Sequence, residues 1–164
     1  MNLSHKHNMT KLLSIIVPVY NEEAAIAPFF AELKNHLSYP NIEFEIIFIN
    51  DGSSDNTQTT LEELVKSDHR VQILNFSRNF GKEYATTAGI HNAKGDAVLA
   101  IDADLQHPPR YIKEFIKKWE DGGEVVIGVR ENDASDTFIK KISSPLYYKI
   151  INKISETKIV PRAT

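Results

Sequence analysis

No cysteine occurs among the 164 residues, which excludes disulfides, thiolate metal ligands and a cysteine nucleophile without indicating a compartment. No stretch of about eighteen consecutive apolar residues occurs, so nothing reads as a membrane-crossing helix. Residues 1–11 are polar, carry His5, Lys6, His7 and Lys11, and lack the apolar core of a secretory signal. Excess basic charge is missing as well: 19 Lys and Arg against 22 Asp and Glu leave a net charge of −3, so nothing points to nucleic acid as a partner. Internal repeats and low-complexity tracts are absent. These absences describe a soluble or peripheral chain expected in the cytoplasm.

What is present suffices for one core, since a chain of this length buries roughly 70% of its extended surface. Residues 12–19 form an apolar run with Pro18 near its end, read as a buried strand followed by a turn at Tyr20, Asn21 and Glu22. Ile26, Phe29, Phe30, Leu33 and Leu37 then recur at helical spacing. EFEIIFIN (43–50) reads as a second strand, closed by Asp51 and Gly52, and a cluster of Ser, Asp and Asn caps the helix carrying Leu61, Leu64 and Val65.

A third strand is expected at 71–76, a helix at 81–93, a fourth strand at 97–101, a helix introduced by Pro108 and Pro109, and a fifth strand at 125–129. Strands alternating with helices, most of them almost continuously apolar, predict an α/β protein with a mostly parallel sheet covered by helices on both faces. In such sheets ligands bind at the carboxyl ends of the strands. The polar residues gather there: Tyr20, Asn21 and Glu22, then Asp51, then Asp102 and Asp104, then Arg130.

DADLQ (102–106) is the most informative stretch. Extended residues two apart point the same way, so Asp102, Asp104 and Gln106 are expected to face one cleft. Such oxygen ligands suit Mg2+ or Mn2+, typically held by one or two carboxylates with substrate phosphates and water. Capping of the following helix is the alternative use of these acids. Asp51 is the member of DGSSD (51–55) assigned to a ligand, whereas Ser53 to Asp55 are turn and cap residues. Lys82 and Arg78 are left out as solvated, and His36, His69, His91 and His107 as surface residues.

VPVYNEE (17–23), NDGSSDNT (50–57), NFGKEYATTAG (79–89), DADLQHPP (102–109) and VIGVR (126–130) resemble, in order and spacing, the motifs of family 2 glycosyltransferases. The likeness is greatest to the branch of dolichyl-phosphate mannosyltransferases and bacterial polyprenyl-phosphate glucosyltransferases. It implies a GT-A (Rossmann-like) fold, a UDP- or GDP-sugar donor, inversion at the anomeric carbon, and a polyprenyl phosphate acceptor at the cytoplasmic face of the membrane. By motif position Pro18, Tyr20, Glu22, Ile49 and Asp51 would surround base and ribose, and Asp102 and Ala103 the nucleoside or its diphosphate. Asp104 and Gln106 would hold the cation, and Arg130 would lie near donor diphosphate and acceptor phosphate. Asp104 and Arg130 are the residues expected to serve the chemistry directly.

The resemblance divides the chain into a polar tail (1–11), a nucleotide-sugar-binding core (12–136) and an amphipathic helical segment opening the acceptor region (137–164). In the last segment Phe138, Ile142, Leu146, Ile150 and Ile154 recur every four residues beside Lys140, Lys141, Lys149 and Lys153. Such a helix covers a sheet or, being basic, lies on an anionic membrane surface. Relatives continue past this point, so C-terminal truncation is expected, with the donor half complete by motif and the acceptor half not. A saccharide acceptor and a non-catalytic nucleotide-sugar binder remain alternatives.

Overall fold

A computed structural model of the chain describes residues 10–106 and 108–128. The chain divides into two compact units, residues 1–114 and 115–164. In the first, strands and helices alternate as β1 (Lys11–Val19), α1 (Glu23–Lys34), β2 (Ile42–Asn50), α2 (Thr57–Ser67), β3 (Val71–Asn75), α3 (Lys82–Asn92) and β4 (Ala97–Ala100). A short 3-10 turn (Pro109–Tyr111) then leads into α4 (Ile112–Glu120), which runs across the division in sequence.

The four strands are parallel and ordered β3-β2-β1-β4. The chain moves outward from β1 to β3 and then returns to lay β4 on the other side of β1. That reversal puts a topological switch point between β1 and β4, where open α/β sheets bind ligands. Strand alternation decides which helix covers which face. Phe48 meets the rings of Phe29 and Phe30, centroids 6.4 and 6.5 Å away, so α1 covers its face. Ile16, Ile47 and Ile49 point the other way and pack with Ala85 of α3. The expected covering of both faces is therefore present. Gly89 lets α3 come this close, because a Cβ there would lie 2.8 Å from Ile49 Cδ1 and 3.1 Å from Ile16 Cβ.

Two expectations are corrected. Residues 125–128 form no strand, and the sheet has four strands among the described residues. Val125 is 81% exposed and Ile127 49%, so this apolar run lacks the burial and neighbouring ladder that make a parallel strand stable. The other concerns burial on both faces, which holds for most of β1 and β2 but not for β4, whose apolar residues alternate between half-buried and exposed. Arg130, His107 and residues 137–164, expected to be helical, lie outside the described residues.

A charged residue sits in the core near the amino ends of the strands. Glu45 of β2 is 6% exposed. Its Oε1 accepts from Ser14 Oγ and, at 2.6 Å, from the Lys94 N–H, while its Oε2 accepts from Gln72 Nε2 at 3.1 Å. Ser14 Oγ in turn accepts from the Gly95 N–H at 2.8 Å. One carboxylate thus joins β1, β2, β3 and the turn before β4. Burial pushes its carboxyl up, but the hydrogen bonds from Ser14, Lys94 and Gln72 outweigh it and leave it below the ordinary value. Paired at 2.7 Å with Arg70, whose hydrogen bonds outweigh partial burial, Asp68 falls to about 2.

Both carboxyls are depressed, so each stabilises the fold above its unfolded value near ~4, and the contribution is lost as pH falls through the folded value. Denaturant titrations should show stability falling from about pH 4 toward 2, with Asp68 among the groups responsible. Glu45→Ala should cost about 2–3 kcal/mol at neutral pH, by orphaning the Lys94 N–H, and should flatten that acid limb.

Candidate functional site

The turns after β1 and β2 are built as one piece. Asn21 adopts φ 53°, a left-handed conformation that asparagine tolerates. Its N–H donates to Ser53 Oγ at 3.0 Å, and its Oδ1 accepts from the Ser54 N–H at 2.8 Å. The Glu22 N–H donates to Thr57 Oγ1 at 2.9 Å and the Glu23 N–H to Asp55 Oδ2 at 3.2 Å. Glu23 Oε2 reciprocates by accepting from the Asn56 N–H at 2.8 Å. The helices beginning here thus satisfy one another's amino-terminal N–H groups, which otherwise lack partners. Asp55 also accepts from the Thr57 N–H, in keeping with its expected capping role.

Asp51 leaves β2 at the same edge and is only 3% exposed. Its Oδ1 accepts from the Phe80 N–H at 2.7 Å and its Oδ2 from the Gly81 N–H at 2.8 Å. Both oxygens are therefore spent on the backbone that opens α3, where a negative charge also opposes the positive end of the helix dipole. Gly52, at φ +67°, backs onto the same loop: a Cβ there would come within 2.3 Å of the Arg78 carbonyl carbon. Arg78 lies over the exposed ring of Phe80, 4.5 Å from its centroid, and Phe80 packs edge-on against Phe76.

Beyond β4 the expected geometry is corrected. Pairing continues one residue past the strand through the Ile101 N–H to Ile16 O bond of 3.1 Å, and then residues 103–106 turn. Leu105 takes φ 58°, and Asp104 Oδ1 accepts from the Gln106 N–H at 2.9 Å. An extended alternation that aims Asp102, Asp104 and Gln106 one way does not exist here, because a left-handed residue breaks the period of two. Asp104 and Gln106 are exposed on the turn, whereas Asp102 is half-buried and receives Lys82 Nζ at 2.7 Å on each carboxylate oxygen.

The other expected residues fall as follows. Pro18 is half-buried at the end of β1, Tyr20 is exposed beyond it, and Glu22 is half-buried at the start of α1. Ile49 is wholly buried beneath α3 and Ala103 nearly so. Asp51 and Asp102 leave strands on either side of β1 and meet the first residues of one helix. Lys82, left out on the sequence, is part of this edge; its place directly after Gly81 in NFGKE was the available signal.

Among the described residues no group of three or more His, Cys, Asp or Glu side chains could by itself hold a metal ion. Asp104 and Gln106 supply a carboxylate and an amide oxygen on an exposed turn. That hard, incomplete donor set fits an octahedral cation whose remaining positions come from phosphates and water. No described helix is long and apolar enough to cross a membrane.

The parallel, doubly wound sheet with its switch point between β1 and β4 has the GT-A fold. The model of glycosyl transferase family 2 matches residues 14–163, and the chain belongs to this family. It is 44% identical over 153 residues to the glycosyltransferase sll0501 of Synechocystis, covering 93% of this chain and 48% of that protein. It is 44% identical over 147 residues to the bactoprenol glucosyl transferase of Shigella phage SfV, covering 90% of this chain and 48% of that one. The chain thus spans about half the length of the curated relatives it matches. A mannosyltransferase from Pyrobaculum calidifontis, solved with GDP-Man and Mn2+, shares the fold with a TM-score of 0.61 and 22% identity over 76% of this chain and 36% of that one.

Asp51→Ala should free the start of α3. Amide exchange at Phe80 and Gly81 is expected to quicken by about tenfold or more by NMR, because both acceptors are removed and local opening then sets the rate.

Proposed function

We propose that this chain carries the donor site of an inverting, divalent-metal-dependent glycosyltransferase that moves a hexose from a UDP- or GDP-sugar to a membrane polyprenyl phosphate. The observation that carries the reading is the acidic turn with Asp102 and Asp104 at the end of β4, beside the switch point. Relatives named bactoprenol glucosyl transferase support the lipid acceptor, and family membership supports the reaction type.

In this reading Pro18, Tyr20 and Glu22 border the nucleoside. Asp51 and buried Ile49 shape the floor, the former by holding the start of α3 in place. Asp102 and Ala103 face the diphosphate, Asp104 and Gln106 hold Mg2+ or Mn2+, and Arg130 orients the phosphates. The cation, when bound, stabilises the negative charge that grows on the departing nucleoside diphosphate. A phosphate acceptor is already largely anionic at neutral pH, with its second pKa near ~6. It needs positioning more than a general base. The basic amphipathic stretch 137–164 would bring the chain to the cytoplasmic face of the membrane.

Calorimetric titration with UDP and GDP, each with Mn2+ and with chelator, tests the donor site directly. Metal-dependent binding of one nucleotide is expected, and Asp104→Asn should abolish its metal dependence. Binding that is indifferent to metal and to this substitution would sink the assignment. Glucose or mannose transfer to polyprenyl phosphate would then be assayed with the corresponding donor.

A further inference from the structure

We infer that Asn21 is a positioning residue: it clasps the turn after β1 to the turn after β2, and so sets how Tyr20 and Glu22 stand against Asp51 around a nucleoside. This rests on the donor-site reading above. The sheet itself does not fix that geometry. Its β1–β2 ladder pairs Val19 with Asn50 and closes with the Asp51 N–H to Val19 O bond of 2.9 Å, and both Tyr20 and Gly52 lie beyond that rung. Past it, among the described residues, the two turns are joined through side chains.

Asn21 makes the first of these joints in both directions. Its N–H donates to Ser53 Oγ at 3.0 Å, and its Oδ1 accepts from the Ser54 N–H at 2.8 Å. Ser53 is held from behind, its N–H donating to Asn50 Oδ1 at 3.0 Å. An asparagine in the left-handed region ordinarily turns its side chain onto neighbouring backbone. Here it reaches a partner 33 residues along the chain instead. Glycine would adopt φ 53° without steric cost but has no acceptor to offer, so the backbone conformation alone does not call for asparagine. Asn21 and Tyr20 are both exposed, so the clasp acts on the geometry of the edge more than on the core.

Substitution by glycine separates backbone conformation from clasp. In Asn21→Gly, calorimetry should show the nucleoside diphosphate that wild type binds, UDP or GDP, held about three- to tenfold more weakly, at full stoichiometry and by the same factor with Mg2+ as with Mn2+. Ser53→Ala, which cuts the clasp from the other side without freeing the backbone at residue 21, should repeat the loss. Asn21→Asp keeps both the acceptor and the tolerance of positive φ, and should stay within about twofold of wild type at physiological ionic strength, where an added exposed charge is screened. Wild-type affinity in Asn21→Gly or Ser53→Ala, a loss in Asn21→Asp as large as in Asn21→Gly, or a loss confined to one cation overturns the inference. So does a fall in stoichiometry at unchanged affinity, which marks a lost fold rather than a displaced contact.

A readout that needs no ligand separates this inference from the reading beneath it. The Glu22 and Glu23 N–H groups cross to Thr57 Oγ1 and Asp55 Oδ2 without using the Asn21 side chain, so their protection reports the joint between the turns. By amide exchange both should lose protection by about tenfold in Asn21→Gly and keep it in Asn21→Asp, with the amides of β1 unchanged in either. If wild type binds neither UDP nor GDP, the donor-site reading fails on that control. Exchange then decides alone: wild-type protection at Glu22 and Glu23 in Asn21→Gly removes Asn21 from its positioning role.

Discussion

The grip of Asp51 on the Phe80 and Gly81 N–H groups is the constraint from which the rest of the site follows. An acid emerging from a central strand would ordinarily be hydrated. Here it is buried, and its cost is offset by two charge-assisted hydrogen bonds to backbone, the kind worth most in a low-dielectric setting. Once α3 begins at a fixed point, Gly89 brings its far end down onto Ile16 and Ile49, and Lys82 stands where it can meet Asp102. A helix carrying little hydrophobic surface is thereby located at both ends by specific contacts.

The interlocked turns after β1 and β2 play a comparable part on the other side of β1. Asn21, Glu22 and Glu23 exchange hydrogen bonds with Ser53, Asp55, Asn56 and Thr57, side chain to backbone in each case. Neither turn could hold its shape without the other. Together with α3 they frame the amino ends of three helices around one strand end, a setting rich in N–H groups and suited to anionic ligands.

Local sequence made much of this legible. The apolar runs of β1 and β2 announced buried strands, and the acids at 51, 102 and 104 stood where strand ends were expected. What stayed hidden depends on partners distant in sequence. Asp51 looked like a ligand residue because the amides that use its oxygens have no side-chain signature, 29 and 30 residues away. Lys82 looked solvated because Asp102 lies 20 residues on. The turn at Leu105 gave no warning, since a leucine at positive φ has no sequence mark. Val125 and Ile127 suggested a strand because periodicity cannot report whether a run is buried.

The Glu45 network lies at the opposite end of the sheet, yet it governs where the edge residues arrive. Where strands are apolar on both faces, the hydrophobic pattern alone separates their registers weakly, because a slip by one residue exchanges one apolar face for the other. A slip of β2 by one residue would turn a charged group into the face occupied by Phe48 and separate it from Ser14, Gln72 and the Lys94 N–H. It would also move Asp51 by about 3.3 Å, beyond reach of its amides. One buried glutamate thus acts as an alignment mark, because only the observed register of β1, β2 and β3 satisfies both of its oxygens.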